Sequence, residues 1–219
     1  MKKLIAVAAL LTLSIPAAAS NVVTFKLLGN QTLTTVTGTG SDRDGTAGAG
    51  FALEAMRQIS PRFSIGAELA YLTRGELESD KLLAGAKTTV SGKTIAGLAL
   101  LRYDALKGSV KPYVVAGLGL ASSSLKAVAQ PAAGFAWAGG GREARTFVDS
   151  SAVAAAIALR GGIDVNVGER MVLGAEAGYL YLSSSERPLT AAGIATTGVG
   201  VISGPQSAVT FGGRIGYRF

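Results

Sequence analysis

The chain has 219 residues, of which 30 are glycine and none is cysteine or histidine; one compact unit fits this length, but the dense branched-aliphatic core of a soluble domain is missing. Without cysteine a disulfide framework and thiolate metal sites are excluded, and without histidine the chain lacks the commonest general base and metal ligand. The 21 basic and 14 acidic residues favour anionic surfaces such as phosphorylated lipid head groups, but the excess is too diffuse to indicate nucleic acid.

The N-terminal segment has the pattern of a secretory signal peptide. Two lysines precede an apolar run of residues 4–15, and small residues follow up to Ala19. The run is too short to span a bilayer, and the small residues predict cleavage after Ala19. We therefore assign residues 1–19 to a cleaved signal peptide and residues 20–219 to one exported domain.

Beyond this segment, apolar residues alternate with small or polar ones at a period of two, which predicts β-strands. The pattern predicts eight strands, at about 22–28, 47–56, 62–72, 94–103, 113–121, 152–165, 171–182 and 207–219. No later stretch reaches the roughly 18 apolar residues that a transmembrane helix needs. If the chain crosses a membrane, it does so with strands.

The last predicted strand shows the alternation most strictly. One face carries only apolar side chains and one glycine, namely Val209, Phe211, Gly213, Ile215, Tyr217 and Phe219. The other face carries Arg214 and Arg218 among small residues. Such a strand suits a small transmembrane barrel, with lipid on one side and a polar lumen on the other.

The lengths of the predicted connections support this interpretation. The short ones are 58–61, 104–109 and 166–170, and the long ones are 29–46, 73–93, 122–151 and 183–206. They alternate along the chain. An even-stranded barrel with both termini in the periplasm has this arrangement, with short turns on the periplasmic side and long loops outside.

Segment 111–119 and the ending Tyr217-Arg218-Phe219, together with the alanine-rich signal, resemble the small OmpA-type outer-membrane β-barrels over essentially the whole mature chain. The resemblance implies an all-β, eight-stranded, antiparallel up-and-down transmembrane β-barrel in the bacterial outer membrane, reached through the periplasm. Tyr217 and Phe219 resemble the C-terminal assembly signal, which implies the outer-membrane insertion machinery and periplasmic chaperones as partners. Because the chain stops at Phe219, we expect the barrel alone, with no peptidoglycan-binding domain.

Charged residues fall on the inward phase of several predicted strands. Glu54, Arg160 and Arg214 lie about five residues before the periplasmic ends of their strands, and Glu68 and Glu176 about five residues after theirs. They should therefore lie at similar depth. An eight-stranded barrel is just wide enough for side chains to fill its interior, so we predict an ion-pair network that plugs the lumen. The alternative is a narrow, gated channel in which an arginine changes its glutamate partner.

The predicted connection 122–151 holds a second group of candidates. Trp137, the only tryptophan, lies near Arg142 and Arg145. Loops are where barrel proteins bind partners, so these residues are candidates for contact with lipopolysaccharide phosphates or with another protein. The alternative is a solvated loop without a ligand.

Four classes of function are candidates for this chain. A structural or surface-interaction barrel is favoured, and a narrow channel is second. A hydrolase is disfavoured because the chain lacks the histidine of such sites. A lipocalin-like carrier would place large apolar residues inside, whereas the inward phase is expected to be glycine, alanine, glutamate and arginine. We expect no cofactor, no metal and no nucleic acid, with lipid and lipopolysaccharide around a monomer whose outward faces show no polar seam.

Overall fold

The computed structural model describes residues 21–37, 41–83, 86–133, 136–137, 140–183, 187–188, 201–202 and 207–219. Ten β-strands lie in these ranges: β1 (Asn21–Thr37), β2 (Ser41–Gln58), β3 (Phe63–Leu83), β4 (Ala86–Asp104), β5 (Val110–Pro131), β6 (Arg145–Val167), β7 (Met171–Leu182), β8 (Arg187–Pro188), β9 (Val201–Ile202) and β10 (Ser207–Arg218). No helix in the described ranges is long and apolar enough to cross a membrane.

Eight of these strands close into a barrel. Each of β1 to β6 pairs antiparallel with the next strand, β7 pairs with β10, and β10 pairs with β1 from Val22↔Arg218 to Leu33↔Ser207. The two short strands pair with each other and, through Val36↔Ile202, with the far end of β1. The predicted eight-stranded antiparallel up-and-down barrel is confirmed.

Side chains alternate between the two sides of the wall as the sequence predicts. On β10, Phe211 is 56% exposed and Ile215 46%, whereas Arg214, between them in the alternation, is 5% exposed. β2, β3, β6 and β7 show the same inversion, with exposed aliphatic side chains outside and buried polar ones inside. Such a surface suits hydrocarbon, and such an interior suits a polar lumen.

The strands are longer than predicted at the end opposite the chain termini. The first strand, predicted at 22–28, extends to Thr37, and most of the predicted long connections 29–46, 73–93 and 122–151 is paired strand. Predicted strands ended where outward apolar residues ended, but backbone hydrogen bonding needs no apolar side chain and continues once the wall leaves the lipid. The fourth predicted connection, 183–206, lies largely outside the described residues.

The short periplasmic turns agree with the prediction to within about two residues, as residues 59–62, 105–109 and 168–170. Gly108 and Gly168 adopt positive φ angles of 136° and 67° in the second and third turns, a conformation that favours glycine. Aromatic rings lie near this end of the barrel in the pairs Phe63–Tyr103 and Tyr217–Phe219, with centroids 5.1 and 5.3 Å apart. Girdles of this kind mark the membrane interface of transmembrane barrels.

The lumen holds larger apolar side chains than predicted. Six inward leucines belong to its buried core, namely Leu28, Leu72, Leu98, Leu100, Leu180 and Leu182. The expectation that only glycine, alanine, glutamate and arginine point inward was therefore wrong. Leu28, Leu72 and Leu180 follow the inward charged residues of their own strands toward the extracellular end, so an apolar layer covers the charges.

Candidate functional site: the charged lumen

Six buried charged side chains from six strands meet in the lumen. We call them the lumen cluster: Lys26, Glu54, Glu68, Arg160, Glu176 and Arg214. Five of them are the predicted network, and the structure brings all five together. Because the cluster holds three cations and three carboxylates, its formal charge is zero.

Lys26 on β1 lies at the centre of the cluster. Its Nζ is 2.7 Å from Glu54 Oε2, 2.8 Å from Glu68 Oε2 and 3.0 Å from Glu176 Oε2. Lys26 was not predicted as a lumen residue, because the residues of the first strand were not divided between an inward and an outward face. The alternation of Phe25 and Leu27, both exposed, was the signal that places Lys26 inward.

Arg160 on β6 binds Glu68 in a bidentate pair. Its Nη1 donates to Glu68 Oε2 at 2.5 Å and its Nη2 to Glu68 Oε1 at 2.6 Å. Nη1 also lies 3.6 Å from Glu176 Oε1. A guanidinium and a carboxylate in this geometry form one of the strongest and most directional ion pairs available to a protein.

Arg214 on β10 connects the cluster to Tyr113 on β5. Its Nη2 donates to Glu54 Oε1 at 2.7 Å and to Thr24 Oγ1 at 3.2 Å, and its Nη1 donates to the Tyr113 hydroxyl at 2.7 Å. That hydroxyl donates in turn to Glu176 Oε2 at 3.1 Å. Tyr113 therefore completes the hydrogen bonding of both an arginine and a glutamate.

A second ion-pair group lies on the periplasmic side. Arg102 Nε is 2.6 Å from Asp104 Oδ1, and its Nη1 is 2.6 Å from Asp164 Oδ2. The Arg102 guanidinium lies 3.9 Å from the centroid of the Tyr113 ring, and Arg214 Nε lies 3.4 Å from Asp164 Oδ1. Tyr113 and Arg214 thus join the two groups. Arg102 was not predicted because strand 94–103 was divided into no inward and outward face, and Asp104 was not predicted because it was placed in the connection 104–109.

The interior retains little free space near these charges. A cavity of about 40 Å³ opens among Arg102, Asp104, Asp164, Arg214 and Arg218, which is room for a few water molecules. Three buried atoms of the described charged groups lack a hydrogen bond, namely Glu54 Oε2, Asp164 Oδ1 and Arg214 Nε. Each nevertheless has an opposite charge within 3.4 Å. Within the described part of the chain, no group of acidic residues could hold a metal ion.

The predicted loop contact residues lie at the far end of the barrel. Trp137 Nε1 donates to the Glu143 carbonyl at 2.7 Å, and backbone hydrogen bonds between Trp137 and both Gly140 and Gly141 close a tight turn. The Arg145 guanidinium, at the start of β6, lies 5.8 Å from the indole centroid. Trp137 therefore contacts both the Glu143 backbone and the Arg145 guanidinium. Arg142 is exposed in the same turn.

The two C-terminal aromatics pack at the periplasmic rim. The Tyr217 hydroxyl accepts a hydrogen bond of 3.0 Å from Arg170 Nη1, and the Phe219 amide donates to the Asn21 carbonyl at 3.0 Å. The hydrogen bond from Arg170 to Tyr217 raises the pKa of that guanidinium, which lies outside the membrane-spanning wall. These contacts fasten the last strand to the first strand and to the third turn.

A comparison with protein families identifies the family of this chain. The family model of the outer membrane protein beta-barrel domain matches residues 5–219. The chain belongs to this family. It is an outer-membrane β-barrel protein, located in the bacterial outer membrane. A comparison with curated protein sequences finds no match.

Solved structures share the fold at low sequence identity. The outer membrane protein OprG of Pseudomonas aeruginosa is 14% identical with a TM-score of 0.56, over 92% of this chain and 96% of OprG. The Ail protein of Yersinia pestis, in complex with the heparin analogue sucrose octasulfate, is 15% identical with a TM-score of 0.51, over 92% and 99%. The Escherichia coli outer membrane protease OmpT is 8% identical with a TM-score of 0.51, over 95% and 99%.

Proposed function

We propose that this protein is a closed barrel that acts through its outer surface and extracellular loops. Its role would be envelope integrity, or contact with lipopolysaccharide or a partner protein. The lumen would serve as a rigid plug that holds the wall in one shape. This role requires no ion or solute to pass and no reaction to be catalysed.

The filled lumen carries this proposal. The lumen cluster has zero formal charge and short contacts on every member, and a layer of leucines covers it. Separating one buried ion pair without a replacement partner costs about 3–5 kcal/mol. An ion that crossed the barrel would have to separate several pairs and then enter the apolar layer.

The ordered turn at Trp137 supports a surface contact. Arg142 and Arg145 are exposed there, and both are cationic. Ail binds a heparin analogue, a polyanion, and two arginines on a fixed turn have the charge that sulfated or phosphorylated sugars require. We propose a polyanionic surface ligand for this turn.

A loop variant tests the surface role in cells that lack the native protein. The triple variant Trp137→Ala, Arg142→Ala, Arg145→Ala is compared with wild type and with Lys107→Ala, which removes an exposed cation at the periplasmic end. Uptake of a dye that an intact outer membrane excludes is the measurement. We expect wild type and Lys107→Ala to restore exclusion and the triple variant to fail. Full restoration by the triple variant would contradict the proposed loop contact.

A narrow, gated channel is the second candidate. Glu176 lies within 3.6 Å of Lys26, Arg160 and Arg214, so a cation could move between carboxylates without leaving the network. The periplasmic cavity would then be one vestibule of the path. Ionic conductance distinguishes the two candidates.

We infer further that the chain is not a hydrolase and that it is a monomer. It has no histidine, and the exposed side chains of the described lipid-facing band are apolar. We propose that residues 1–19 are removed as a signal peptide and that the insertion machinery recognises Tyr217 and Phe219, with periplasmic chaperones escorting the chain. N-terminal sequencing of the mature protein tests the cleavage, which should leave Ser20 first.

A further inference from the structure

The outward side chains of β4 and β5 change from apolar to polar and basic toward the extracellular end of these strands. The outward row of β4 passes from Leu101 to Ile95 and then to Lys93. On β5, the outward row passes from Leu120 through two serines to Lys126. Lys93 and Lys126 are both exposed, and they lie just above the apolar band that faces lipid.

The two lysines are diagonal neighbours across the strand pair. Lys93 is the register partner of Ser124, and Lys126 is the register partner of Ser91. Diagonal neighbours in an antiparallel pair are about 7–8 Å apart, within reach of two long side chains that converge on one anion. The serine hydroxyls beside them add hydrogen-bond donors. On β6 the register partner of Lys126 is Asp149.

A notch in the apolar wall lies below the lysines. Gly97 points outward on β4, and a Cβ atom built on it would meet nothing within 4 Å. Its register partners are Leu69 on β3 and Leu120 on β5, which are 38% and 63% exposed. The notch therefore has a glycine floor and leucine walls, and it leads up along β4 past Ile95 to Lys93.

We infer that this strip binds one phosphorylated glycolipid of the outer leaflet, lipopolysaccharide. A sugar phosphate lies between Lys93 and Lys126, and an acyl chain lies in the notch over Gly97. The occupant follows from the order of side chains along the wall. Aliphatic side chains come first, then serine hydroxyls, and then lysine ammonium groups. The acyl chain, sugar and phosphate of such a lipid lie in the same order. The inference rests on the proposed surface role and places a contact on the wall, apart from the turn at Trp137.

The test measures binding of purified lipopolysaccharide to the refolded full chain in detergent micelles, by native mass spectrometry. The double variant Lys93→Gln, Lys126→Gln removes the two cations. The control Lys107→Gln, Arg62→Gln removes two exposed cations from the periplasmic turns. A heat-dependent gel shift shows that each variant is folded. A phosphate-free lipid A serves as the comparison ligand.

We expect the affinity for lipopolysaccharide to fall about tenfold or more in the Lys93, Lys126 variant and to stay within about twofold in the control. Phosphate-free lipid A should bind wild type about as weakly as lipopolysaccharide binds the double variant. Equal binding of lipopolysaccharide to wild type and the double variant would overturn the site, and so would equal binding of the two glycolipids to wild type. If the Trp137, Arg142, Arg145 variant alone loses binding, the contact lies in the loop, and this site fails while the proposed surface role stands.

Discussion

Glu54 and Glu68 are direct register partners on β2 and β3, and the Lys26 ammonium lies 2.7 and 2.8 Å from their Oε2 atoms. Like charges directly opposite each other in a sheet normally destabilise it. Here the compensating charge comes from across the lumen, because Lys26 on β1 contacts glutamates on β2, β3 and β7. Lys26 and Arg214, two cations, are also register partners. Each charge in the lumen cluster therefore depends on residues of strands far apart in sequence.

Removing the central cation should destabilise the barrel strongly. In Lys26→Met, Glu54 and Glu68 remain adjacent and buried without the ammonium between them, so we expect a loss of about 3–5 kcal/mol in the free energy of unfolding. Urea titration in micelles, followed by the heat-dependent gel shift, measures it. Lys107→Met in a periplasmic turn is the control and should lie within about 0.5 kcal/mol of wild type. If the Lys26→Met barrel were as stable as the control, Lys26 would not stabilise the barrel by compensating the charges of Glu54 and Glu68.

Restoring charge balance should recover part of that loss. The double variant Lys26→Met, Glu54→Gln removes one cation and one carboxylate and leaves two of each in the lumen cluster. We expect the double variant to be more stable than the sum of the single variants predicts, by about 1–3 kcal/mol. The same urea titrations complete the double-mutant cycle. Strict additivity would mean that the two residues do not interact energetically.

Loss of the Tyr113 hydroxyl should weaken the link between the two ion-pair groups. Tyr113→Phe keeps the ring under Arg102 but removes the acceptor for Arg214 Nη1 and the donor to Glu176. A buried polar group left without its partner costs about 1–3 kcal/mol. The free energy of unfolding measures this cost. Tyr179→Phe, on the outward face, is the control, and a Tyr113 effect no larger than the control would contradict the link.

Substitution by alanine should destabilise the barrel at one of two glycines on neighbouring strands and not at the other. A Cβ on Gly119 would overlap the Gly97 carbonyl oxygen, whereas a Cβ on Gly97 would meet open space. Gly119→Ala should therefore cost about 1–3 kcal/mol, as overpacking does, and Gly97→Ala should cost little. Midpoints of urea unfolding for the two variants compare them directly. Equal midpoints would show that the wall at Gly119 yields to a methyl group.

The barrel was predictable because lipid on one side and a filled lumen on the other impose a strict period of two. The strand Met171–Leu182 was predicted to the residue, since a tight turn precedes its first residue and apolar alternation continues to its end. The extracellular extensions of β3 to β6 were not predicted. On β4 and β5 the outward residues of the extensions include Lys93, Ser122 and Lys126, so the sequence has no hydrophobic boundary there that reports continued pairing.

The lumen was predictable in part. The five predicted charges meet because alternation and distance from the turns set their depth. Lys26 was missed because no inward and outward face was assigned to the first strand. The leucine layer was missed because Leu28, Leu72 and Leu180 lie at or near the ends of the predicted strands 22–28, 62–72 and 171–182, beyond the charges that defined the predicted lumen. Which arginine pairs with which glutamate depends on the stagger of eight strands, which no single strand encodes.

The closed lumen is the central claim, and single-channel conductance of the mature chain in a planar bilayer tests it most directly. The heat-dependent gel shift first shows that the protein is folded. We predict folded protein with no steady conductance steps, because the proposed plug of ion pairs and leucines would block the lumen. Steady steps whose size changes in Glu176→Gln would contradict the plug and establish a channel that passes through the lumen cluster.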